Sequence, residues 1–314
     1  MAKIQINTIQ PGPDNPHNTP ILDPSGISRK YLDLDYTPDN PHPMRKLDIY
    51  LPEEGEGPFP VLIHMHGGGF VGGLKNDFHA INYMTEALEA NLAFVSVEQR
   101  LCSRFPDGSF DPDGAFPGSL FDLKAAIRFL RVNAAAYLLD TERFALIGPS
   151  AGGYHVAMAA ATQDVPVMYD ESFGHKGVSE KVHAVIDMFG VSDLVTQQAF
   201  AHTKLGQPAP GVMNNHDAFF GAMIMENQHL ARFADPIRWI TPDMPPILIQ
   251  AGEADQVVTV ECSRKLARRV EEVCGKDRVV YNEFPDYAHG DPRFHDPANK
   301  KHMFGWLLEK LNVR

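Results

Sequence analysis

Cysteine is scarce in this sequence, with three residues in a chain of 314: Cys102, Cys262 and Cys274. An odd number, with neither CxxC spacing nor a zinc-finger pattern, excludes a disulfide framework and a structural zinc site. Free thiols in a reducing compartment are the expectation. Long apolar runs are also missing. No window approaches the ~20 residues of a membrane span, so no membrane partner is expected. The first ten residues mix Lys3 with Gln, Asn and Thr and lack the apolar stretch of a secretory signal, and the expected location is the cytoplasm. Positive charge is in deficit, with 28 Lys and Arg against 40 Asp and Glu, a net of −12. Such a field repels phosphate backbones, so nucleic acid is not an expected partner.

What is present is the balance of a globular protein, 44% hydrophobic and 22% charged, long enough to hide roughly three quarters of its unfolded surface. Residues 1–26 are dense in breakers around Pro11, Pro13, Pro16 and Pro20 and read as an irregular N-terminal arm. Two β-forming runs, Ile27 to Tyr36 and Lys46 to Leu51, read as an antiparallel pair. From Pro60 onward, short apolar runs alternate with amphipathic helical stretches, the pattern of βαβ units and a mostly parallel, doubly wound sheet. The runs are Val61–Met65, Leu92–Val97, Phe144–Ile147, Val182–Phe189, Ile247–Ala251 and Val279–Phe284.

Two helices are clear. One is expected over Gly118–Leu139, striped by Leu120, Leu123, Ile127, Leu130 and Ala134, with Ser119 and Asp122 spaced as a capping box. The other starts at Thr259, stripes Cys262, Leu266, Val270 and Val273, and stops at Gly275. The stretch from about 191 to 245, with Gly206-Gln207-Pro208-Ala209-Pro210-Gly211 and a Met/Phe-rich piece over Val212–Met225, breaks the alternation and reads as a cap-like insertion. Its apolar side chains, Phe219 and Phe220 among them, suit a substrate pocket or, equally, a patch for a second copy of the chain or ordinary core. The whole is one α/β domain over residues 27–314.

The sharpest chemical signal is Gly148-Pro149-Ser150-Ala151-Gly152-Gly153, between an apolar run and a small-residue helix. Strand, tight turn with GxSxG, then helix is the context of a nucleophile elbow. The turn strains the serine backbone and raises its hydroxyl at a helix N-terminus, where the dipole favours developing negative charge. Upstream, His66-Gly67-Gly68-Gly69-Phe70 follows the run Val61–Met65, and bare glycine amides there can meet the oxyanion of an acyl transfer. A serine hydroxyl needs a base to take its proton and an acid to orient that base. In doubly wound hydrolases the acid follows the nucleophile and the histidine comes last, which favours Asp255 after Ile247–Ala251 and His289 after Val279–Phe284. Glu253 and Asp193 stand as rival acids, and His295 and His302 as rival histidines. His64 and His66 read as packing residues, not a metal pair.

This combination resembles the α/β-hydrolase carboxylesterases, in their hormone-sensitive-lipase-like and bacterial feruloyl/acetyl esterase branches. The resemblance runs from about Arg45 to the C-terminus. It implies Ser150 as nucleophile, His289 as base then acid, Asp255 as its orienter, and the N–H groups of Gly68, Gly69 and Ala151 as the oxyanion hole. It implies a small-molecule ester substrate, acetyl or hydroxycinnamoyl esters of carbohydrates included, and requires no metal and no organic cofactor. Pro149 stands where many relatives carry an acid. Glu98-Gln99-Arg100-Leu101-Cys102 replaces the Tyr-Arg-Leu-Ala-Pro common in the lipase-like branch. An amidase or peptidase using the same triad is the enzymatic alternative, and a non-catalytic binding protein on the same scaffold is the other.

Overall fold

The structure is a computed structural model that describes residues 7–11, 19–163, 165–206 and 212–313. Among the described residues ten strands form: β1 (Asn7–Ile9), β2 (Ile21–Asp23), β3 (Lys30–Asp35), β4 (Lys46–Tyr50), β5 (Phe59–Met65), β6 (Ala93–Val97), β7 (Leu139–Pro149), β8 (Ala184–Met188), β9 (Ile247–Gly252) and β10 (Val279–Phe284). Eight make one sheet in the order β10-β9-β8-β7-β5-β6-β4-β3. The six from β10 to β6 run parallel, and β4 and β3 add on antiparallel to β6 and to each other. That is the expected mostly parallel sheet with an antiparallel N-terminal pair.

The inner parallel strands β5, β6, β8 and β9 are five to seven residues long, mostly apolar and fully buried, because helices cover both faces. Helices α1 (Phe78–Glu89) and α9 (Pro297–Lys310) cover one face, and α2 (Gly118–Val132), α3 (Ala151–Ala161) and α8 (Val260–Cys274) cover the other. Four helices, α4 (Leu194–Leu205), α5 (Asn215–Phe220), α6 (Gln228–Ala231) and α7 (Pro236–Trp239), lie between β8 and β9, in the stretch read as an insertion.

Three sequence expectations change. The N-terminal arm is not irregular where it is described: β1 pairs antiparallel with β2. Leu22 and Ile27 are buried beside Ala80, Tyr83 and Met84 of α1, and the Leu22 amide donates to the Asn76 carbonyl at 2.9 Å. Strands of three residues carry no readable period, and residues 12–18 of the arm fall outside the described residues, as do 207–211 of the Gly/Pro run. Helix α2 ends at Val132, seven residues before Leu139, which instead opens β7. Its capping box does not form, because both side chains have tertiary partners. Ser119 Oγ bonds His155 Nε2 at 2.9 Å, and Asp122 accepts from Arg45 and Arg100 in the interior. By contrast, Thr259 caps α8 as expected, its side chain accepting from the Glu261 amide.

Candidate active site

The site grows from the C-terminal ends of the parallel strands, where loops leave the sheet and ligands gather in such folds. At the end of β7, Ser150 adopts φ 55° and ψ −120°, a strained conformation for a residue with a side chain. Close packing enforces the turn: a Cβ on Gly148 would lie 2.4 Å from Gly152, and one on Gly152 would lie 2.1 Å from the Met65 carbonyl. The Ser150 amide donates to the Met188 carbonyl of β8 at 2.8 Å. The first free amide of α3 is therefore that of Ala151, at the positive end of the helix.

His289 leaves the loop after β10, and its Nε2 lies 3.0 Å from Ser150 Oγ. Its Nδ1 lies 2.6 Å from Asp255 Oδ2, in the loop after β9. Asp255 is buried, and its other oxygen accepts from the Val257 and Val258 amides at 2.7 and 2.8 Å, so the carboxylate is fixed from both sides. Phe189, following β8, packs edge-on to the His289 ring with centroids 4.9 Å apart. The structure thus joins Asp255, His289 and Ser150 in one hydrogen-bonded chain. The rivals are engaged elsewhere. Glu253 pairs with Arg264 and Asp193 with Lys265, each at 2.7 Å. His302 bonds Asn282 and His295 bonds His79.

The glycine loop after β5 forms the facing wall. Gly68 and Gly69 have φ of 112° and 61°, and a Cβ on Gly68 would fall 1.9 Å from the Gly72 carbonyl, so only glycine fits there. Their amides donate to no acceptor among the described residues. Sequence reasoning missed how this loop is held. His66 Nδ1 meets the Gly67 carbonyl at 2.7 Å, and its Nε2 meets Glu98 Oε1 at 2.7 Å. Burial opposes a charged imidazole, but the Glu98 carboxylate overrides it and raises the His66 pKa. In the trans peptide joining Gly67 to Gly68, fixing the carbonyl on one side turns the Gly68 N–H to the other. The available signal was an acidic residue ending the run Leu92–Val97, on the strand beside the one that carries the glycines.

Between these walls lies a cavity of about 480 Å³ lined by Gly68, Gly69, Ser150, His289, His79 and Asn215, among others. The Met/Phe-rich piece contributes Asn215 to this lining, while Phe219 takes the core reading. Phe219 is fully buried and stacks on Phe70 at 4.0 Å, with Tyr154 edge-on at 5.0 Å. These rings brace the glycine loop against α3. His64 and His66 do not share a ligand. His64 bonds Ser96 Oγ at 3.1 Å, and among the described residues no group of three or more His, Cys, Asp or Glu could hold a metal.

A profile of the BD-FAE family matches residues 47–270, well over half the sequence and including the glycine loop, Ser150 and Asp255. The chain belongs to the BD-FAE family. Similar proteins include esterase LipC of Mycobacterium tuberculosis (strain ATCC 25618 / H37Rv), 25% identical over 88% of this chain and 64% of LipC. Another is the isoprenylcysteine alpha-carbonyl methylesterase ICME of Arabidopsis thaliana, 23% identical over 86% of this chain and 60% of ICME. A third, the probable carboxylic ester hydrolase LipM of the same M. tuberculosis strain, is 25% identical over 74% of this chain and 49% of LipM. This BD-FAE chain therefore spans about half to two thirds of these relatives. Among solved structures, a truncated carbohydrate esterase from gut microbiota superposes with a TM-score of 0.76 at 23% identity, covering 91% of this chain and 97% of that one. A lipase/esterase from Lactobacillus plantarum gives 0.63 at 18% identity over 99% of both chains. Both show the α/β-hydrolase fold.

Acid acts on five buried or half-buried histidines of this BD-FAE chain. Burial pushes His64, His155 and His295 down to about 3 and His79 and His216 to about 4. With unfolded values near 6.5, their contribution to stability is full above that pH and is lost as pH falls toward 4. Asp187 and Asp235, raised by burial to about 7, titrate with the opposite sign but are fewer. The melting temperature is expected to fall between about pH 7 and about pH 4.5. A melting temperature unchanged or raised over that range would contradict the reading. Among the described residues no helix is long and apolar enough to cross a membrane.

Proposed function

We propose that the chain is a serine esterase acting on short acyl esters of hydroxylated alcohols, carbohydrate esters included, through an acyl-enzyme. Ser150 Oγ attacks the ester carbonyl as its proton passes to His289 Nε2, with Asp255 holding the imidazole by Nδ1. The amides of Gly68, Gly69 and Ala151 receive the oxyanion. The tetrahedral intermediate collapses, the C–O bond to the alcohol breaks, and His289 returns the proton to the leaving oxygen. Water then gives its proton to His289, its oxygen attacks the acyl carbon, and the acid departs as Ser150 regains its hydrogen.

The observation that carries this reading is the continuous chain from Asp255 through His289 to Ser150, at 2.6 and 3.0 Å, beside three amides with no acceptor among the described residues. The substrate class is supported by the small cavity with His79, Asp77 and Asn215 on its walls, by esterases among the relatives, and by a carbohydrate esterase among the structural neighbours.

The test is a hydrolysis screen across acetyl, butyryl, longer acyl and feruloyl esters of one alcohol. The acetyl ester is expected to be cleaved fastest, with rates falling beyond butyryl. Loss of all ester hydrolysis, or a preference for long chains, would contradict the proposal. Glu98→Gln removes the charge that holds His66 and is expected to lower kcat about tenfold with little change in KM, part of what one oxyanion donor contributes. A changed KM with kcat intact would count against that positioning role.

A further inference from the structure

His79 is not used by the acyl-transfer steps, yet it borders the cavity that holds Ser150 and His289. It stands at the second position of α1, whose first turn is fixed by Asp77, the N-cap, accepting from the Ala80 amide at 2.8 Å. Its Nδ1 lies 3.0 Å from His295 Nε2, and its ring stacks on Tyr83 with centroids 6.1 Å apart. One nitrogen is thereby anchored to the protein. The other, Nε2, forms no hydrogen bond among the described residues and is not among the buried polar atoms lacking one, so it opens on the cavity.

Phe189 decides which part of a substrate it meets. This ring packs against His289 at 4.9 Å and against His79 at 6.2 Å, so the two imidazoles flank the same side chain. The leaving alcohol must lie by His289, which gives it a proton, and His79 is therefore on the alcohol side of the scissile bond.

We infer that His79 is a specificity-determining residue that hydrogen-bonds a hydroxyl on the leaving alcohol, next to the ester oxygen. The inference rests on the esterase reading above. The group is a hydroxyl because the pair shares one proton. If His79 donates from Nδ1, its Nε2 accepts; if His295 donates, His79 Nε2 carries hydrogen. A hydroxyl both donates and accepts, so it satisfies either tautomer, whereas a carbonyl or an ammonium satisfies one.

Two substitutions separate this role from a structural one. The amide of Asn reaches about as far as Nδ1, so His79→Asn keeps a partner for His295 and withdraws the polar atom from the cavity. Gln reaches about as far as Nε2, so His79→Gln keeps the cavity contact and loses the partner for His295. The assay compares kcat/KM for a monoacetylated sugar with that for p-nitrophenyl acetate, whose alcohol has no neighbouring hydroxyl. In His79→Asn the selectivity ratio is expected to fall about tenfold, the size of one hydrogen bond to a neutral partner, mainly through KM for the sugar. His79→Gln should retain most of it. Equal losses on both esters, or better retention by Asn than by Gln, would overturn the inference and leave His79 as packing. A wild-type protein inactive on both esters would overturn the esterase reading beneath it. An active wild type whose selectivity neither variant alters overturns the inference alone.

Discussion

Ser150→Ala is expected to lower kcat/KM for p-nitrophenyl acetate by about 10⁴ to 10⁶-fold, leaving only what the oxyanion amides and binding provide. The loss should come without unfolding. Alanine keeps the Cβ that the elbow accommodates at φ 55°, and the amide bond to Met188 is a backbone interaction. The measurement is steady-state hydrolysis paired with a melting curve. Activity within tenfold of wild type in a folded variant would mean that another group does the chemistry. A lost activity with a collapsed melting transition would show only that the elbow needs serine to fold.

The second large effect concerns stability, far from the site. Lys124 is fully buried on α2 and donates from Nζ to the Thr162 and Met168 carbonyls at 2.8 Å and to Glu180 Oε2 at 2.7 Å. Arg128, one turn later, pairs with the other oxygen of the same carboxylate and lies over the Tyr169 ring at 4.5 Å. One acid thus pairs with two buried cations. Glu180→Ala removes that carboxylate from both pairs, and breaking a buried pair from one side costs about 3–5 kcal/mol. The melting temperature should fall by roughly 5–8 °C, read by calorimetry or circular dichroism. A change of only about 1 °C would contradict the charge assignment. Glu180→Gln, which keeps hydrogen-bond acceptors but not the charge, should fall between.

What the sequence exposed and what it hid follow from range. The strands, the elbow and the loops carrying Asp255 and His289 were legible because each is local: an apolar run of four to eight residues, then a turn with its polar residues one to five positions beyond. The striped faces of α2 and α8 were legible for the same reason, and Leu120, Leu123, Ile127, Cys262, Leu266 and Val270 are all buried. Features that depend on distant partners were not. Ser119 and Asp122 have capping spacing, yet His155, Arg45 and Arg100 engage them from elsewhere in the chain. Composition alone leaves Phe219 open to pocket, interface or core, and the partner that places it in the core, Phe70, lies about 150 residues earlier. The hold of Glu98 on His66 joins the ends of two adjacent parallel strands, and its sole trace in the sequence is the acid that follows the run Leu92–Val97.

The central claim is that one hydroxyl, made nucleophilic by one imidazole, carries the acyl group. A fluorophosphonate probe tests it most directly, because such probes phosphylate an activated serine and the adduct can be mapped by mass spectrometry of peptides. The expected result is one adduct per chain on Ser150, absent in Ser150→Ala and slowed by at least about 1000-fold in His289→Ala. An unreactive folded protein, an adduct on a different residue, or labelling of Ser150 at the same rate without His289 would contradict it.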